Sequence, residues 1–175
     1  MLELVFETHS LTTDNELGIA TGWLPGRLSE EGRKQAARLG DRRRDIAVVF
    51  ASDLQRAVDT VGIAFGETSI PVFLDRRLRE CDYGELNGAP VAQLDRRRHV
   101  DEPFPGGESY RDVVARTASL LRELLTQWDG ARVCVVAHSA NRWALEHLVH
   151  GAPLEQLVEA PFAWREGWEF AIERI

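Results

Sequence analysis

The sequence predicts an α/β fold, a three-layer α/β/α sandwich with a mostly parallel central sheet and a short lid segment. Three observations carry this. Short apolar, β-favouring runs recur near residues 2–6, 46–51, 70–74 and 131–137, and segments of helical periodicity alternate with them. Runs that are apolar throughout fit strands covered on both faces. The chain has 175 residues, 44% of them hydrophobic, and no linker or repeat interrupts it, so one domain over 1–175 with a sizeable core is expected.

The elements follow in order. Leu4, Val5 and Phe6 suit a buried strand, which ends abruptly in Glu7, Thr8, His9 and Ser10. Residues 16–28 hold three glycines and a proline and read as a loop. Ser29 is an N-cap candidate with Glu30 and Glu31 behind it, and the helix runs through Gln35, Ala36 and Leu39 toward Arg44. Ile46–Ala51 is the second strand. Ser52 and Asp53 are cap candidates for a helix with Leu54, Ala57, Val58 and Val61. Ile70–Leu74 is the third, shorter strand. Residues 78–108 are rich in glycine and proline, with a short helix expected at Val91–Arg98, and would form a lid over the carboxyl edge of the sheet. Ser109 and Asp112 form a capping-box pattern before a helix carrying Val113, Val114, Thr117, Leu120, Leu121 and Leu124. Ala131–Ala137 is the fourth strand, Trp143–Val149 is helical, and the tail from Phe162 to Ile175 reads as a hairpin or edge strands around Glu166-Gly167.

Charge and cysteine usage limit the function. A net charge of −7 argues against general nucleic-acid binding. Cys81 and Cys134 are too few for a disulfide framework, so a reducing cytoplasm is the expected setting. Neither a signal peptide nor a membrane span is expected. The homodimer is left as an open option.

Two apolar runs end in His-Ser, at His9-Ser10 and at His138-Ser139. Open α/β sheets place reactive groups at carboxyl strand ends. Three chemistries compete for such a pair. A zinc site wants further ligands at short spacing, and the chain has neither HxxxH nor CxxC, so no metal and no cofactor is expected. A serine triad wants the G-x-S-x-G elbow, which is absent. A histidine nucleophile wants a phosphoryl electrophile, cationic donors and an acid for the leaving oxygen. Arg56, early on a helix after the second strand, and Glu80, just past the third, fit those needs.

The set resembles the histidine phosphatase superfamily, the phosphoglycerate-mutase-like proteins. That family opens with a strand followed by Arg-His-Gly and an asparagine six residues after the histidine. Here Thr8-His9-Ser10 and Asn15 occupy those places. Thr21-Gly22-Trp23, then Ser52, Leu54, Arg56, Ala57 and Thr60, resemble its phosphate loop and second motif. Leu78, Glu80, Tyr83 and Gly84, then Gly107-Glu108-Ser109 with Asp112 and Arg116, and finally Val135–His138, follow in family order. The resemblance implies His9 as nucleophile, Glu80 as acid, Arg56 and His138 on the phosphoryl oxygens and Asn15 as a further donor. It implies a small phosphorylated substrate, and a phosphohydrolase, with a non-catalytic anion binder and a phosphomutase as alternatives.

Three positions depart from the family pattern. Thr8 replaces an arginine, and Ser10 and Ser139 replace glycines. Hydroxyls at these positions are expected to substitute as donors, with Thr21, Gly22 and Tyr83 completing the pocket. Arg142 is expected to return the missing charge and to neutralise Glu7 at the pocket mouth. The run Arg96-Arg97-Arg98-His99 is a solvated face or a landing site for a second anion.

Overall fold

The structure, a computed structural model, describes residues 1–175. Its strands are β1 (Leu2–Thr8), β2 (Ile19–Ala20), β3 (Val48–Ala51), β4 (Val72–Leu74), β5 (Ala89–Pro90), β6 (Arg132–Ala137) and β7 (Trp168–Ile172). Its α-helices are α1 (Thr13–Glu16), α2 (Glu30–Arg42), α3 (Gln55–Phe65), α4 (Tyr110–Gln127), α5 (Ser139–His150) and α6 (Leu154–Glu159). The central sheet has the order β4-β3-β6-β1-β7; the first four are parallel and β7 lies antiparallel on β1. The expected sandwich is present.

Strand alternation sends side chains to two separate cores. Leu4 and Phe6 of β1 and Val133 and Val135 of β6 pack with Leu120, Leu121 and Leu124 of α4 and Leu145 of α5. Val49, Cys134 and Val136 face the other way, onto Leu39 of α2 and Val61 and Phe65 of α3. Residues after β1 lead to α2 on one face, whereas those after β6 enter α5 on the opposite face. The adjacent carboxyl ends of β1 and β6 therefore open a crevice where the crossover direction changes.

Some local expectations hold and others are corrected. Ser29 caps α2, and Ser109 with Asp112 makes a full capping box on α4. Ser52 and Asp53 do not cap α3: Leu54 holds that position, and Asp53 binds Arg79 through two hydrogen bonds of 2.7 Å. Between 91 and 98 there is no α-helix. A 3₁₀ turn at Val91–Gln93 stops because Leu94 is extended (φ −79°, ψ 112°), and another follows at Arg98–Val100. The loop at 16–28 contains β2, which pairs with β5 of the lid segment and ties the two together. The tail makes one strand only. Its alternation is clean in β7, whereas 160–166, with Pro161 lacking a donor, stays irregular. No helix is long and apolar enough to cross a membrane.

Candidate active site

Register brings the two histidines together. Thr8 pairs with Ala137, and the His9 N–H donates to the Ala137 carbonyl at 2.8 Å. His9 and His138 each follow the last residue of adjacent parallel strands, so their rings lie 5.0 Å apart. His9 Nδ1 stands 2.8 Å from the Ser10 carbonyl, which only accepts, so Nδ1 carries the proton and Nε2 keeps its lone pair. Arg56 Nε donates a long hydrogen bond of 3.4 Å to that Nε2. Burial, assisted by the Arg56 charge, pushes the His9 pKa down to about 3, against the Ser10 carbonyl. The ring is thus neutral at ordinary pH.

Arg56 is delivered by α3, which starts just after β3. Its guanidinium is buried and held by two backbone carbonyls, Gly22 at 2.8 Å and Leu24 at 3.2 Å. Gly22 has φ 55°, and a Cβ there would stand 1.8 Å from Asn87 Oδ1, so only glycine offers its carbonyl in this place. Thr60, one turn further along α3, accepts from the Ser10 N–H at 3.0 Å and so braces the loop that carries His9.

Glu80 comes from the irregular segment 78–108. Its Oε1 accepts from the N–H groups of Cys81 (2.8 Å) and Ala140 (3.3 Å), the latter in the first turn of α5. Burial raises its pKa; the two amides and Arg56 pull against that. Arg116 of α4 fixes the peptide that carries it, donating to the carbonyls of Arg77 (2.7 Å), Arg79 (2.6 Å) and Glu80 (2.9 Å). Trp23 Nε1 also donates to the Glu80 carbonyl, at 2.7 Å.

These groups share a cavity of about 400 Å³. Thr8, His9, Asn15, Thr21, Gly22 and Arg56 line it, as do Glu80, Tyr83 and Ser139. Asn15 also closes a capping box with Thr12, and the Thr21 hydroxyl donates to Asp14 at 2.7 Å. His138 lies behind, fully buried, and neither of its ring nitrogens has a protein partner. Its pKa is held well below the usual histidine value, first by burial and then by Arg56 and His9.

Besides His138, two expected pocket residues lie outside the cavity lining. Ser10 is buried outside the cavity lining and contributes its backbone, not its hydroxyl. Arg142 is likewise absent from the lining: its guanidinium lies over the Trp168 ring, 5.2 Å from the centroid. It does not meet Glu7, which is buried and accepts from Arg42 at 2.9 Å and Arg43 at 2.8 Å. Strand alternation explains the error. Thr8 faces the cavity, so Glu7, one residue earlier, points to the opposite side, toward α2. The missing charge has therefore not been moved to Arg142. Arg142→Ala is expected to leave kcat/KM within about twofold, whereas Thr8→Arg should raise it by up to about tenfold on a simple phosphate ester, for each 1.4 kcal/mol of oxyanion binding regained. Steady-state kinetics on both variants decides this.

Of the basic run, Arg97 pairs with Glu159 and Arg98 with Glu102, as a solvated face would. Arg96 alone reaches the cavity lining. Sequence reasoning missed Gln35, Trp143, Phe162 and Trp164 in the lining. Two aromatics just past the last helix, in a stretch with no apolar periodicity, were the available signal for the last pair.

Comparison with known proteins gives the family and the fold. The family model described as histidine phosphatase superfamily (branch 1) matches residues 4–163. The chain is 32% identical over 173 residues to a 2,3-bisphosphoglycerate-dependent phosphoglycerate mutase of Methylobacterium sp. (strain 4-46), covering 88% of this chain and 83% of that protein. It is 35% identical over 171 residues to a glucosyl-3-phosphoglycerate phosphatase of Mycolicibacterium vanbaalenii, covering 87% of this chain and 76% of that protein. Among solved structures, Bacillus stearothermophilus YhfR superposes with a TM-score of 0.82 at 28% identity, over 95% of this chain and 88% of that one.

Proposed function

The chain belongs to the histidine phosphatase superfamily, branch 1, and from that premise we propose that it hydrolyses small phosphomonoesters through a phosphohistidine, without a metal. The observation that carries this reading is the locked tautomer of His9. A neutral imidazole whose Nδ1–H is tied to a carbonyl presents its Nε2 lone pair beside a buried arginine, in one cavity with a buried carboxyl group. That is the equipment for in-line attack on phosphorus.

In the first step the P–N bond to Nε2 forms as the ester P–O bond breaks, and protonated Glu80 gives its proton to the leaving alkoxide. In the second, Glu80 as carboxylate takes a proton from water, the water oxygen attacks phosphorus, and the P–N bond breaks to release phosphate. Arg56 offsets charge on the phosphoryl oxygens. His138, whose ring lies 5.0 Å from that of His9 with both nitrogens unpartnered, backs the nucleophile, and a role on the phosphoryl oxygens is what the family resemblance adds. No three His, Cys, Asp or Glu side chains cluster where a metal ion would fit, so full activity in EDTA is expected.

The acid role has its own test. Glu80→Gln should lower kcat/KM on an alkyl phosphate by about 100-fold or more and on an activated aryl phosphate far less, because only the alkoxide needs the proton. The pH profile carries the same sign. The acid works while protonated, so the alkyl-to-aryl ratio of kcat/KM should fall as pH rises through the raised Glu80 pKa. Equal losses for both esters would assign Glu80 another role. In the reaction itself, phosphate appearing free in solution indicates hydrolysis, and phosphate appearing on a second substrate hydroxyl indicates a mutase.

A further inference from the structure

We propose that the substrate is the phosphomonoester of an apolar or aromatic alcohol, an inference that rests on the phosphohydrolase reading and names its substrate class. The cavity lining is of two kinds. Polar groups line it, with His9, Thr8, Asn15, Arg56, Glu80 and Ser139 among them. Its apolar part includes Ile19, Val91, Leu94, Trp143, Phe162 and Trp164. A cavity of about 400 Å³ is of a size that encloses a whole small ligand, so a phosphoryl group at His9 leaves its alcohol portion against that wall.

Two features of the wall point to its occupant. Phe162 and Trp164 remain 53% and 47% exposed although they border a concave apolar surface. Half-exposed aromatics beside a cavity gain by being covered, and an apolar alcohol covers them without stranding polar groups. The segment that presents them is also anchored: Arg43, held by Glu7, donates to the Glu166 carbonyl at 3.0 Å. The second feature is the scarcity of charge. Arg96 is the cation on this wall, and its guanidinium is engaged, 5.7 Å from the Trp143 ring centroid and donating to the Val158 carbonyl at 3.3 Å. A carboxylate on the alcohol portion would be desolvated against tryptophan and phenylalanine, and the one cation on that wall is already engaged.

The test compares three primary-alkyl esters with similar leaving groups: 2-phenylethyl phosphate, glycerol 3-phosphate and 3-phosphoglycerate. A buried methylene is worth about fourfold in binding, so kcat/KM for the phenylethyl ester should exceed that for 3-phosphoglycerate by at least about 100-fold. Phe162→Ser and Trp164→Ser should each reduce the phenylethyl-to-glycerol ratio by about tenfold, and Trp164→Phe should keep most of it. Both side chains are half exposed in an irregular segment, so folding tolerates these changes. A preference for 3-phosphoglycerate, lost in Arg96→Ala, would overturn the inference while leaving the phosphohydrolase reading intact. So would phenylethyl-to-glycerol ratios unmoved in both serine variants. Calorimetric titration with 3-phenylpropylphosphonate and with 3,4-dihydroxybutylphosphonate separates the opposite case. Tighter binding of the phenyl compound with no turnover of any ester would uphold the apolar site and sink the phosphohydrolase; equal or reversed affinities would sink the apolar site.

Discussion

Replacing His9 with alanine is expected to lower kcat/KM by at least about 10⁴-fold and to abolish phosphate labelling of the protein. The reasoning runs from the ring's geometry. Nδ1 is tied to the Ser10 carbonyl, Nε2 lies 3.4 Å from Arg56 Nε, and burial keeps the ring neutral, so its lone pair is available without prior deprotonation. No other neutral imidazole lines the cavity: His138 lies behind it, fully buried. Water has no comparable positioning, and the arginine and acid that remain in His9→Ala act on an attack that no longer forms a covalent bond to the protein. Rapid mixing with a ³²P-labelled ester and an alkaline quench should leave acid-labile label on the wild-type chain and none on the variant. An enzyme that retains full activity, or label, without His9 would overturn the proposed mechanism.

The second large effect is on stability. Glu7→Ala should destabilise the fold by about 3–5 kcal/mol, because removing one partner of a buried ion pair strands the other. Two guanidiniums lose their acceptor at once, and the side chain of one, Arg43, is only 11% exposed. For a domain of this size each kcal/mol lowers Tm by about 2–4 °C, so a fall of roughly 6–20 °C is expected in a thermal melt. Arg43 also tethers the Glu166 carbonyl, so the loss reaches the aromatic wall of the cavity as well as the core. The Glu7→Leu, Arg43→Met double variant removes the carboxylate and the more buried of its two guanidiniums, leaving only Arg42 without its acceptor, and should recover part of the loss, which distinguishes an orphaned charge from a cavity. A Tm shift below about 2 °C in Glu7→Ala would show that water reaches Arg42 and Arg43 after all.

Features that depend on neighbours along the chain were legible in the residues alone. Short continuous apolar runs and helical stripes located β1, β3, β4 and β6 and helices α2 to α5, because strand and helix burial is set over a few residues. The caps at Ser29 and Ser109 were legible for the same reason, since a cap bonds within its own first turn. The ordered motifs around His9, Arg56, Glu80 and His138 gave the family, and adjacency of two strand ends then placed the histidines together.

Tertiary structure alone decided which cation each carboxylate met. Glu7 found Arg42 and Arg43, 35 and 36 residues away, rather than Arg142, because strand parity turns it to the α2 face. It also decided which member of the Arg96–Arg98 run reached the cavity, and that the irregular tail would bend Phe162 and Trp164 over the site, tied down across 123 residues by Arg43 and Glu166. Local propensity is silent on such pairings. They are chosen by which side chains the finished layers bring within a hydrogen bond's reach, and by the cost of leaving a buried charge without a partner.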